Sequence, residues 1–187
     1  MSWPVRDTRL VYENAWIRVR EDAVTRPDGS EGIYGVVELQ RPAVFVVALT
    51  DDDEVVLVTI DRHTVGASVE VPAGGTEGED PLAAARRELA EETGLTARDW
   101  RRVGGMNALN GVCRASEVVY LATGLEPVHG FHGDTGEGAR ERALEGIREV
   151  RTVPVADVLG LVRDGTITDG ETIAALMLAL VHLGRVH

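Results

Sequence analysis

Glu88, Glu91 and Glu92 stand at i, i+3 and i+4 in the segment EDPLAAARRELAEETGL, residues 79–95. On a helix this spacing puts three carboxylates on one face. Clustered anions repel one another, and a divalent cation is the economical way to hold them together. Carboxylate oxygens suit Mg²⁺ or Mn²⁺. Mg²⁺ takes one or two carboxylates and completes its shell with water and substrate phosphate oxygens. The segment therefore points to metal-assisted chemistry on a phosphate compound. A solvated surface helix would instead interleave Lys or Arg with Glu at i+4. Here the acids gather, while Leu82, Ala85 and Leu89 form an apolar stripe.

The elements that must position these carboxylates are legible around them. Pro72-Ala73-Gly74-Gly75 reads as a Gly-rich turn before the helix, and Gly94 suits the left-handed position that ends one. Ala43 to Thr50 is a nearly continuous apolar run, as in a buried central strand. Asp51-Asp52-Asp53 reads as a solvated turn, and Glu54 to Ile60 as the next strand, which together suggest a hairpin. Val69 to Val71 leads into the Gly-rich turn. Before residue 40, Leu10–Tyr12, Ile17–Val24 and Ile33–Leu39 form a small β-meander, with a turn at Pro27-Asp28-Gly29-Ser30. Trp100–Met106, Glu117–Ala122 and Ile147–Val153 are further strands. Residues 134–143 read as a loop or weak helix, and Val155–Asp164 and Glu171–Leu183 as helices. Mixed strands with a few helices indicate an α/β sandwich.

The segment resembles the Nudix hydrolase signature, in which a Gly and a Glu precede Arg-Glu, an aliphatic, any residue, Glu-Glu, any residue, Gly and an aliphatic. From Glu79 onward every position agrees: seven residues separate Glu79 from Arg87, followed by Glu88, Leu89, Glu91, Glu92, Gly94 and Leu95. The front end departs. Four residues separate Gly74 from Glu79 where the family has five, a one-residue deletion in the turn. The resemblance implies a Nudix α/β/α sandwich with a mixed sheet. It makes Glu88 and Glu92 metal ligands, with Glu91 beside them as ligand and catalytic carboxylate and the Ala73 carbonyl as a further ligand. Arg87 and Glu79 then orient the carboxylates.

The resemblance extends past the signature to the ADP-ribose pyrophosphatase group of nucleoside diphosphate sugar hydrolases. Residues 11–39 look like that group's N-terminal β subdomain, Glu70-Val71-Pro72-Ala73-Gly74 like its strand entering the signature, and residues 153–180, with Asp169-Gly170, like its C-terminal elements. The implied organisation is an antiparallel β subdomain at 1–40, for dimerisation and the substrate pocket, and a Nudix domain at 41–187. A homodimer is expected. In this group a carboxylate outside the signature acts as general base. Here the candidates are Glu145, just before Gly146 and a strand, and then Glu141. Arg62 and Arg114 are candidate phosphate contacts, because a guanidinium binds phosphate bidentately. Trp16, Tyr34 or Trp100 could stack a base. The expected substrate is ADP-ribose, with GDP-mannose and other nucleotide sugars as alternatives. The stretch from Asp61 to Val69 and the loop from Met106 to Gly111 hold no aromatic ring but His63, which departs from the ADP-ribose enzymes.

Composition narrows the rest. A formal charge of −12 disfavours nucleic acid as a partner. An acidic protein handling phosphates needs metal ions between the like charges. Cys113 is the single cysteine, so an intrachain disulfide is excluded and a reducing compartment is favoured. No apolar signal region opens the chain and no run approaches membrane-spanning length, so a cytoplasmic protein without membrane partners is expected. Two other classes fit less well. One is a nucleotide-sugar-binding module that does not cleave, against which the intact carboxylate set speaks. The other is a nucleoside triphosphate hydrolase, which would not need the N-terminal subdomain.

Overall fold

A computed structural model describes residues 3–128 and 137–186. The chain divides into two compact units, Met1–Pro42 with Asn107–Glu117, and Ala43–Met106 with Val118–His187.

The first unit is a four-stranded sheet in the order β1-β2-β3-β9. β1 (Val5–Glu13), β2 (Ile17–Thr25) and β3 (Glu31–Leu39) form an antiparallel meander. Asn14 closes the first turn, its Oδ1 accepting from the backbone N–H of Trp16 and Ile17. β9 (Cys113–Arg114) pairs parallel to β3, and the Tyr34 hydroxyl donates to the Gly111 carbonyl. The segment Asn107–Glu117 thus belongs to this unit, whereas the sequence division at residue 40 placed it in the second domain. Its pairing partner is some seventy residues away in the chain, and no local pattern carries that information.

The second unit has helices on both faces of its strands. β4 (Ala43–Ala48) lies in a sheet ordered β7-β4-β10-β8, with β7 (Ala73–Gly75), β8 (Leu95–Asn107) and β10 (Ser116–Pro127). A second, antiparallel sheet is ordered β11-β5-β6, with β5 (Glu54–Arg62), β6 (Gly66–Glu70) and β11 (Ile147–Pro154). Alternate residues of β4 face opposite cores, because strand side chains have a period of two. Phe45 and Val47 join Leu57, Leu121 and residues of α3 (Val155–Arg163) and α4 (Gly170–His182). Val44, Val46 and Ala48 join Val56, Tyr120 and Ala84, Ala85 and Leu89 of α1 (Pro81–Thr93). This two-sided burial is why the run from Ala43 reads as continuously apolar.

The expected α/β fold holds, with the strands of this unit arranged in two sheets. One reading changes. The expected β4–β5 hairpin is only a turn: Thr50 and Asp53 close it by backbone hydrogen bonds, one bridge joins Leu49 to Val55, and the strands then enter different sheets. The polar stretch before β11 includes a helix, α2 (Glu137–Glu145). Residues 134–136 lie outside the described residues. Among the described residues, no helix is long and apolar enough to cross a membrane.

Candidate active site

α1 begins where the chemistry of its sequence says it should. The Asp80 side chain caps it by accepting from the backbone N–H of Leu82 and Ala83, and Pro81 follows at the first helical position. Gly94 ends it at φ 72°. The apolar stripe holds the helix against β4 and leaves Glu88, Glu91 and Glu92 toward the turn that precedes it. In that turn Glu77 (φ 50°) and Gly78 (φ 89°) take up left-handed backbone. The Glu79 N–H donates to the Thr76 carbonyl, 2.8 Å.

Arg87 organises this corner. Its guanidinium donates to Glu79 and Glu91 (2.9 Å each) and to the Gly75 carbonyl (2.9 Å), and it pairs with Glu88 at 2.8 Å. Burial opposes its charge, yet the hydrogen bonds to Glu79 and Glu91 raise its pKa further above the usual arginine range. Glu79, the turn and two of the three carboxylates are therefore tied to one cation.

Glu88 and Glu92 are only 6% and 3% exposed. Burial pushes the Glu88 pKa up to about 7 against the opposing Arg87 charge, and the charges of Glu91 and Glu145 push the same way. Burial pushes Glu92 up to about 9, with Glu88 and Glu145 adding repulsion. The Ala73 N–H donates to Glu92 Oε2 at 3.1 Å, and Arg62 favours its charged form more weakly. The Glu88 carboxylate lies so close over Gly74 that a Cβ there would fall 2.1 Å from Oε1.

Glu145 ends α2, and its charge bears on both buried carboxylates. The backbone just beyond it is anchored to β5. Gly146 adopts φ 83°, the Asp61 N–H donates to the Gly146 carbonyl at 2.9 Å, and Arg148 pairs with Asp61. Glu141 has its backbone in α2, and its side chain lies outside the described residues. Among the described residues, no three His, Cys, Asp or Glu side chains converge on one point. Buried Glu88 and Glu92 are the pair brought together, and Glu91 is shared with Arg87. This set fits a hard divalent cation: two repelling, desolvated carboxylates beside a backbone turn match an ion that uses one or two carboxylates and keeps its waters.

The remaining candidates lie elsewhere. Arg62, at the end of β5, donates to both oxygens of buried Glu70 (3.1 and 2.6 Å), and its charge also bears on Glu92 and Asp169. His63 is exposed in the turn after β5. Arg114 pairs with Glu38 at 3.1 Å in the first unit. Trp16 is three-quarters exposed beside the β1–β2 turn, and Trp100 packs edge-on against Tyr120 in the second unit. Within the first unit a cavity of about 570 Å³ is lined by Trp3, Tyr34, Arg20, Asp22 and Arg114, among others. Trp3 meets Tyr34 edge-to-face at 5.5 Å.

The model of the NUDIX domain matches residues 39–176. The chain belongs to the Nudix family. Residues 3–37 match the N-terminal domain of nucleoside diphosphate sugar hydrolases. This Nudix protein is 34% identical to an ADP-ribose pyrophosphatase of Mycobacterium tuberculosis over 168 residues, covering 82% of this chain and 80% of the relative. It is 33% identical to an ADP-ribose pyrophosphatase of Bacillus subtilis over 168 residues, covering 89% of this chain and 86% of the relative. A crystal structure described as an ADP compounds hydrolase superposes with a TM-score of 0.79 at 20% identity, over 100% of this chain and 98% of that one, which establishes the shared fold.

For this Nudix protein the raised carboxylates make a prediction about pH. Glu88 and Glu92 bind protons more tightly in the folded chain than their ordinary value of 4.5 allows in the unfolded one. The stability they contribute is full below that value and is lost as pH rises through about 7 and about 9. In chelator, the melting temperature should therefore fall from about pH 6 to about pH 9 more steeply for the parent than for Glu92→Gln, and divalent metal should flatten the parent's fall. Equal slopes for the two proteins would contradict the assignment.

Proposed function

We propose that this chain hydrolyses the pyrophosphate bond of a nucleoside diphosphate sugar, ADP-ribose first among them, to a nucleoside monophosphate and a sugar phosphate. The observation that carries the reading is the buried Glu88–Glu92 pair with the Glu145 charge directed at it and Arg87 fixing its surroundings. Glu88 and Glu92, with Glu91 and the Ala73 carbonyl, would hold Mg²⁺, or Mn²⁺ in its place. A metal at such a site neutralises phosphoryl oxygens and lowers the pKa of a bound water. Glu145 takes the proton of the attacking water, with Glu141 as the alternative base. Arg87 keeps Glu91 and Glu88 turned toward the turn, so the carboxylates need little rearrangement when substrate arrives.

The first unit holds substrate in this reading. Its cavity is lined by the Trp3–Tyr34 pair and by Arg20 and Arg114, whose guanidinium groups are paired with Asp22 and Glu38, so a base or phosphate held there shares them with existing ion pairs. Trp16 and Arg62 are further candidate contacts. Arg62 would have to share its Glu70 partner, so a phosphate contact there is an added role beside an existing ion pair. A homodimer is proposed through the same unit. All nine residues of β1 are exposed, and Val5, Leu10, Val11 and Tyr12 are each more than half so; an apolar edge of that kind invites a second chain. A cytoplasmic location, with no nucleic-acid or membrane partner, completes the proposal.

The test is a Mg²⁺-dependent turnover screen with products read by mass spectrometry. ADP-ribose, GDP-mannose, other nucleotide sugars, dinucleotides and triphosphates are offered to the purified protein. Cleavage of one diphosphate sugar into a monophosphate and a sugar phosphate is the expected result. Tight binding of one compound with no turnover of any would replace the hydrolase by a non-cleaving sensor.

A further inference from the structure

We infer that Thr172, on α4 and outside the carboxylate helix, is a positioning residue that sets the backbone beside the metal site. The inference rests on the reading that metal binds at Glu88 and Glu92. Thr172 is fully buried, and its Oγ1 accepts from the Val71 N–H at 3.1 Å, across 101 positions of chain. Asp169, the cap of α4, holds Thr172 in turn by accepting from its N–H at 2.7 Å.

The next residues show what this contact fixes. Val71 lies just past the last β5–β6 pair, Val58 with Glu70, so the ladder no longer supplies an acceptor for its N–H. The Pro72 carbonyl accepts from Val46 at 2.8 Å, and the Ala73 N–H donates to Glu92 Oε2 at 3.1 Å. Three successive residues are thus pinned to α4, to β4 and to the metal-site carboxylate. The pin at Val71 is made by the side chain of a residue outside the site, so a single substitution removes it without deleting any carboxylate. Without it a buried N–H is left unpaired. The chain must shift to satisfy it, carrying along Ala73 and its bond to Glu92.

Mn²⁺ and Mg²⁺ binding, measured by calorimetry without substrate, tests this in the full-length protein. Thr172→Val keeps the shape and removes the acceptor; about tenfold weaker metal binding is expected, the lower end of what losing a supporting partner costs a metal site. Thr172→Ser restores the oxygen and should bind metal within about twofold of the parent. Leu180→Ala, buried about 12 Å further along α4, measures destabilisation of the helix alone. It should lower the melting temperature without changing metal affinity. Should Thr172→Val fail to fold, the wild-type protein decides: the Thr172 methyl resonance should shift on Mg²⁺ titration with the same midpoint as the Ala73 amide. Unchanged affinity in Thr172→Val, a methyl signal indifferent to metal, or a parent that binds neither ion would overturn the inference. Altered metal affinity in a protein that cleaves no nucleotide sugar would leave it standing and remove the proposed function instead.

Discussion

Glu92→Gln is expected to lower metal-dependent turnover by more than about 100-fold while leaving the metal-free fold at least as heat-stable as the parent. Loss of a group that merely supports a metal ligand costs about 10–100-fold, and Glu92 is proposed as a ligand itself. The stability half follows from burial. Glu92 is almost fully enclosed and its pKa is pushed up to about 9, because burial and the Glu88 charge both penalise its ionised form. Near neutral pH the metal-free chain already carries it largely as the neutral acid. Gln has the same shape, no charge at any pH, and an amide oxygen that can accept from the Ala73 N–H as Glu92 Oε2 does. The substitution removes an ionisable group whose charged form is disfavoured without metal and required with it. Turnover with saturating Mg²⁺ and thermal melts in chelator check the two halves separately. Activity within tenfold of the parent would remove Glu92 from the metal site. A large loss of stability would mean that the carboxylate is ionised and paired in the metal-free fold.

The carboxylate helix was legible because everything that specifies it is local. Asp80 and Pro81 start α1, Gly94 stops it, and the 3.6-residue period of its apolar side chains decides which face the acids occupy. The central strand was legible for a similar reason: β4 is buried on both sides, so its residues are apolar at every position. What the sequence withheld depends on partners distant in the chain. β4 and β5 look like a hairpin because the Asp51–Asp53 turn is real, but β10 and β7 compete for β4, and β6 and β11 take β5. β9 is two residues long and gains its identity only from β3. Arg62 reads in the sequence as a phosphate ligand alone, and its ion pair with buried Glu70, through Nε and Nη2, emerges only in the fold. The hairpin register gives no signal for that pair, since it sets Arg62 against Gly66 and Glu70 against Val58. Thr172 gave none, since its partner is a backbone N–H a hundred residues earlier.

Gly74 shows how a turn glycine can carry function through a neighbour rather than through its own backbone. Its φ is not in the left-handed region, so alanine is compatible with the chain path. The obstacle is the Glu88 carboxylate: a Cβ would fall 2.1 Å from Oε1, 2.2 Å from Cδ and 2.5 Å from Oε2. These atoms are the far end of a flexible side chain, whereas β7 is anchored by its register with Val44 and Phe45. The side chain must therefore yield, and with it the carboxylate's place opposite Glu92 and its pairing with Arg87. Gly74→Ala should fold with a melting temperature close to the parent's, yet bind Mn²⁺ at least about tenfold more weakly and lose turnover in proportion. Gly75→Ala is the matched control. It meets nothing within 4 Å and keeps the carbonyl that Arg87 uses, so its metal affinity should be near that of the parent. Equal metal binding by the two alanine variants would show that Glu88 can leave its place over Gly74 at no cost, and the cradle would then be packing alone. A selective loss at Gly74 would tie the absence of one methyl group to the position of one ligand.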